Sequence, residues 1–273
     1  MLLTERLFAG RVPTATGLFV EGALAASVAC AGAIWLFPEH TSIVSIFLCA
    51  IGSLGSVERE LEWNRAQIVE HHRDPRRINA VFTGRVLALF FGQLVTFSFV
   101  ALFASPSLVA TAFDLQLGDF HQLAFPDMTF PPALHILGHN LGVLSLFFAL
   151  ALLFRHGGAL LAVAWNASVW GVVFGTLART WTAAGGPGLA EAYARVMAGV
   201  FVHMALEALA YTIVAFAGVF LAKALTNYQA DNARWTSLLK TIVAMMVGAV
   251  LLVALGAAWE GWLAPPLVDW LSR

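Results

Sequence analysis

A histidine and a glutamate four residues apart, His203 and Glu207, stand inside a long apolar run. Residues at that spacing share one face of a helix, so imidazole and carboxylate would point the same way. Such a pair can pass a proton, hold a cation or contribute ligands to a metal ion. More polar side chains interrupt the neighbouring apolar runs: His135, His139 and Asn140 in one, Asn166 in the next, and Tyr211 one turn beyond Glu207. Asn140, Asn166, His203 and Glu207 are the candidate intramembrane cluster. His139, Tyr211 and Glu260 are secondary candidates. A metal centre would draw its ligands from His139, His203 and Glu207, with one position left for water. The plainer alternative is an interhelical hydrogen-bond network that glues the helices together. His-Glu-x-x-His, Gly-x-Gly-x-x-Gly, Walker and Gly-x-Ser-x-Gly patterns are all absent. No catalytic residue and no cofactor is therefore assigned, and any ATPase working with this chain would be another polypeptide.

Composition dictates what must position these residues. Of 273 residues, 60% are apolar and 11% are Asp, Glu, Lys or Arg. Soluble domains average about 25% charged residues, and no soluble core of this size hides so much apolar surface. The expected class is all-α, a polytopic transmembrane bundle, because lipid cannot satisfy open backbone groups. A span needs about 20 apolar residues, and seven segments qualify or nearly so: 16–37, 41–56, 79–105, 133–154, 159–178, 198–225 and 238–259. The second is short, which leaves a re-entrant segment open as an alternative. With ~1.5 Å of rise per residue, His139 and Glu207 both lie about 10 Å below the same surface.

The basic residues predict the orientation. Arg6, Arg11, Arg59, Arg65, Arg73, Arg76, Arg77, Arg155, Lys223, Arg234 and Lys240 fall on one side, against Arg179, Arg195 and Arg273 on the other. That asymmetry predicts N-in, C-out topology in a cytoplasmic (inner) membrane. Trp35, Trp181, Trp259 and Trp262 then line the outer interface. Arg85, two turns in from the inner side, is expected to snorkel out to it. Residues 57–74 carry Val57, Leu61 and Ile68 at helical spacing and predict a separate cytoplasmic amphipathic helix that Pro75 stops. The outer loop 106–132 holds Asp114, Asp119 and Asp127 and no basic residue, and is expected to be functional or packed over the helix mouths.

Cys30 and Cys49 sit in apolar runs and are expected to be buried free thiols. Glu5 beside Arg6, and Glu21 within the first run, speak against a secretory signal. Gly138/Gly142 and Gly171/Gly175 have the spacing for close helix approach within the bundle. Two regions follow: residues 1–78, a hairpin plus the cytoplasmic helix, and residues 79–273, a five-span membrane domain.

Four segments of the second region carry a family resemblance. Residues 139–150 (HNLGVLSLFFAL), 164–175 (AWNASVWGVVFG), 202–207 (VHMALE) and 257–266 (AAWEGWLAPP) follow one another in a recognisable order and spacing. From about residue 80 onward the chain resembles the stage II sporulation protein M family of integral membrane proteins. His139 stands where that family commonly has Asn, and Val202 and Met204 stand where it has Pro and Gly. The resemblance implies a membrane scaffold, a non-enzymatic subunit of an envelope-associated complex. The expected partners are the lipid bilayer, other membrane subunits or a cytoplasmic ATPase, envelope proteins outside and further copies of the chain; a net charge of −1 gives no sign of nucleic acid. Two alternatives come from the residues: a transporter or export subunit with a polar path along Asn140, Asn166, His203 and Glu207, and an intramembrane metal-dependent hydrolase.

Overall fold

Three helices begin where a side chain takes up a loose amide hydrogen. Thr14 accepts from Gly17 N (3.0 Å) to start α1, Ala15–Leu36. Asp74 accepts from Arg76 N (3.1 Å) ahead of Pro75, which opens α3, Pro75–Phe103. Ser105 does the same for Leu108 N (3.2 Å) ahead of Pro106 in α4, Pro106–Ala112. Proline suits the first helical position because its missing N–H would have no partner there. The computed structural model describes residues 14–118, 132–227 and 233–272. The remaining helices are α2 (Thr41–Arg65), α5 (Asp114–Leu117), α6 (Ala133–Phe154), α7 (His156–Ala183), α8 (Leu189–Asn227), α9 (Ala233–Ala258) and α10 (Ala264–Ser272).

Seven helical stretches among the described residues are long and apolar enough to cross a membrane. Large apolar side chains such as Phe47, Phe99, Leu146, Leu153 and Leu251 face outward. Hydrocarbon rather than water is the solvent that suits them. The protein is an all-α, multi-pass membrane protein. Its second span corrects two expectations: helix runs unbroken over Thr41–Arg65 and continues as a wider turn through Ala66–Glu70. The stretch 41–56 is thus the first part of a longer helix and not a short one. The polar residues after it continue the same helix, with no break between them and the apolar stretch. Pro75 starts the next helix and does not end this one; the chain turns at His72, where φ is +49°.

The chain packs as two units. The first comprises the described residues through Gly118 together with Val163–Val173 of α7. Here α1 lies against both α2 and α3. Gly22 and Gly92 make the α1–α3 crossing close: a Cβ on Gly22 would overlap the Leu89 carbonyl, and one on Gly92 the Phe19 carbonyl. Gly171 packs similarly on α3, where a Cβ would stand 2.7 Å from that of Phe97. Cys30 and Cys49 are buried free thiols. The described part of the 106–132 loop, through Gly118, folds back onto the start of α2. There Ser42 donates to Asp114 (2.7 Å) and Gln116 donates to the Ser42 carbonyl (3.1 Å). Asp119 and Asp127 lie outside the described residues.

The second unit holds residues 132–162 and 174–272. Here α8 packs against α6 and α9, with Ala151, Ala159, Ala215 and Val219 at one buried centre. The α6–α7 turn is a single residue, Arg155, at φ +53°. It closes only because Gly158 carries no Cβ to strike the Leu150 carbonyl. Gly138 and Gly142 meet nothing, so the expected close approach on α6 is made elsewhere on the chain. Past Ala258 the helix widens over Trp259–Leu263 and then continues as α10. Pro265 and Pro266 supply no amide hydrogen to the next turn, so the ladder shifts register before them. Arg195 ties α10 back to α8, donating to the Leu271 carbonyl (2.7 Å) and to Glu191 (2.6 Å).

Candidate functional site

The second unit brings two of the expected residues into direct contact. Asn140 on α6 donates its side-chain amide to Glu207 Oε1 on α8, and both side chains are buried. Asparagine can reach across because α6 and α8 pack against each other and Asn140 falls on the α6 face that also buries Ile136, Leu144 and Phe147. Gly256 of α9 lies over the carboxylate: a Cβ there would sit 3.6 Å from Glu207 Cγ. That small residue lets α9 lie close over the site.

His203 is buried one turn before Glu207, and its Nδ1 meets no hydrogen-bond partner among the described residues. Tyr211, one turn after, is buried edge-on to Phe147 with ring centres 5.3 Å apart. Glu260, on the widened turn after α9, is half-buried and within Coulombic reach of Glu207. The site therefore joins an amide, two carboxylates, an imidazole and a phenol inside an apolar bundle. Groups of these types can hold and release a proton or hold a cation away from water.

Two expected members are placed differently. His139 is exposed, as is His135, because the face of α6 that carries them is not the face that carries Asn140. Neighbours in a helix point about 100° apart. His139 thus does not share the buried face of Asn140, and among the described residues no three His, Cys, Asp or Glu side chains gather as a metal-binding set. Asn166 is buried in the α7 stretch that belongs to the first unit. Exchanging His139 for Ala should leave stability within about 0.5 kcal/mol. Exchanging Asn140 for Ala should cost about 2 kcal/mol, because Glu207 loses a charge-strengthened hydrogen bond. Thermal unfolding in detergent of the two variants measures the contrast, and equal losses would contradict this placement.

The first unit holds polar chemistry that the residue types alone did not single out. One face of α2 reads Ser42, Ser45, Cys49, Ser53, Ser56 and Glu60, each buried, at steps of three or four residues. Glu21 of α1 accepts from Ser56 and pairs with Arg59 at 2.5 Å. Glu60, with no exposed side-chain surface, pairs with Arg85 of α3 at 3.4 Å. Arg85 does not snorkel freely; its guanidinium lies over the Trp63 ring, 4.0 Å from the centroid. Gln93 donates to Ser53 (3.0 Å), and one carboxyl oxygen of Glu60 and the amide oxygen of Gln93 have no partner among the described residues. The signal for this seam was the helical spacing of small and polar residues along 42–60. It becomes visible only when 41–65 is taken as one helix.

No family model, curated protein or solved structure matches the chain.

Proposed function

We propose that this protein is the membrane-embedded subunit of a transport or export complex, and that Glu207 is the proton- or cation-carrying group of its intramembrane path. One observation carries the reading: a carboxylate is buried in a membrane bundle and held by an amide from the next helix. Placing an ionisable group there costs several kcal/mol, so a structural role alone is a poor reason to keep it. Asn140 fixes one carboxyl oxygen, while the other can take up a proton and give it back. His203, with an uncommitted Nδ1, is the adjacent relay. The distribution of Arg and Lys supports a cytoplasmic N-terminus for this path.

The test uses the purified chain in liposomes that contain a pH-sensitive dye. An imposed potassium diffusion potential drives protons inward. Wild-type protein should acidify the liposome interior, and Glu207→Gln should slow that acidification roughly tenfold or more. Gln keeps the size of the side chain and still accepts from Asn140, so folding is spared. If wild-type and variant liposomes both match protein-free ones, the proton path is wrong.

A second reading draws on the resemblance to the stage II sporulation protein M family. In it the chain is a non-enzymatic scaffold that organises envelope partners. The absent nucleotide-binding and hydrolase motifs support it equally. Mild-detergent affinity purification separates the two: a scaffold comes out with stoichiometric partners whether or not residue 207 is a carboxylate.

A further inference from the structure

The end of the first unit where α2 stops and α3 starts carries a pocket of about 380 Å³ lined by Trp63, Arg73, Asp74, Arg77, Ile78 and Val81. Its shape follows from the turn. His71 N returns to the Ala66 carbonyl and Arg73 N to the Gln67 carbonyl, both at 3.0 Å, so the chain folds back over the end of α2. His72 takes φ +49° to allow it. The two guanidiniums therefore converge on the pocket, Arg73 from the turn and Arg77 from the first turns of α3.

The pocket is divided in chemistry. Arg73 and Arg77 are exposed, and no carboxylate among the described residues pairs with either. Asp74, the acid that lines it, caps α3 through Arg76 N and so satisfies the helix terminus. The rest of the wall is apolar: Ile78 is buried, Val81 is exposed, and both lie further along the spanning helix. Trp63 forms the boundary, its ring already carrying Arg85. Two free guanidiniums above an aliphatic wall at the end of a membrane span complement a phosphodiester with an acyl chain below it.

We infer that this pocket binds the headgroup of an anionic phospholipid, its phosphate bridging Arg73 and Arg77 and its acyl chain running along Ile78 and Val81. A soluble phosphate would use the guanidiniums and leave the apolar wall bare, which is why a lipid is the occupant. The inference is independent of any proton path at Glu207.

Native mass spectrometry of the full chain from neutral detergent, titrated with defined lipids, tests it. Phosphatidylglycerol should be retained in preference to phosphatidylcholine. Arg73→Gln with Arg77→Gln should weaken the first-bound phosphatidylglycerol about tenfold to thirtyfold, as expected for two interfacial arginines. Both side chains are exposed, so the fold is not at stake. Arg76→Gln, which changes the net charge by one without lining the pocket, should leave that lipid in place. Equal retention of phosphatidylcholine, or undiminished binding by the double variant, would overturn the inference. Glycerol 3-phosphate that competes as well as the intact lipid would overturn it too, by showing a soluble-anion site.

Discussion

Arg59→Ala is expected to remove roughly 3 kcal/mol of folding stability, and adding Glu21→Gln to the same chain should return most of it. Glu21 sits in α1 among Leu18, Gly22 and Ala25, all buried. Its carboxylate accepts from the Ser56 hydroxyl and from Arg59 at 2.5 Å, 38 residues away along the chain. Without the guanidinium the charge keeps one neutral donor in an apolar wall. A lost partner for a buried ion costs far more than the net worth of the pair, because the remaining charge is left uncompensated. Removing that charge as well abolishes the penalty, so the double variant should be the more stable of the two. Unfolding of the single and double variants in detergent gives the comparison. A double variant as unstable as Arg59→Ala would mean that Arg59 acts through packing of its aliphatic stem instead. Loss of the Glu60 charge alone should cost less, since Arg85 also rests on Trp63.

Gly92→Val should be the second severe change, with a loss of about 3 kcal/mol or more. The α3 backbone at Gly92 lies against Phe19 and Ala23 of α1, and a Cβ there would meet backbone atoms that no rotamer change can move. Gly22 presents the same constraint from the other helix, against Leu89. Association of helices in lipid relies on such close packing, because burying apolar surface gains little when the solvent is itself apolar. Forcing the crossing apart would also strain the Thr96 hydroxyl bond to the Ala23 carbonyl (3.2 Å). Gly138→Val is the matched control: nothing lies within reach of a Cβ at that position, so its change should be small. If both substitutions cost the same, the interdigitation of α1 and α3 is not what holds the first unit together.

The two glycine pairs show where residue spacing stops being informative. Gly138/Gly142 has the close-approach spacing and faces open space; Gly22 and Gly92, 70 positions apart on different helices, make the contact. A spacing rule describes one helix face, whereas close approach depends on which faces meet. The same limit explains His139 and Asn140. Both types suit a polar cluster, and their order along α6 says only that they point in different directions. Packing of α6 on α8 selected Asn140.

Residue content by itself determined the medium and the secondary structure, because apolar length against bilayer thickness leaves a chain few choices. It also singled out Glu207, since a deep carboxylate among so few charges is conspicuous in any register. What only the tertiary structure decided was pairing. Glu21 meets Arg59, Glu60 meets Arg85, Asn140 meets Glu207, and the polar residues after Gly55 continue the second helix. The physical reason is one of range. Transfer from water to lipid acts on each residue separately and can be summed along the chain. A hydrogen bond or an ion pair needs a partner within about 3 Å, and helix packing alone brings together residues 25 to 67 positions apart.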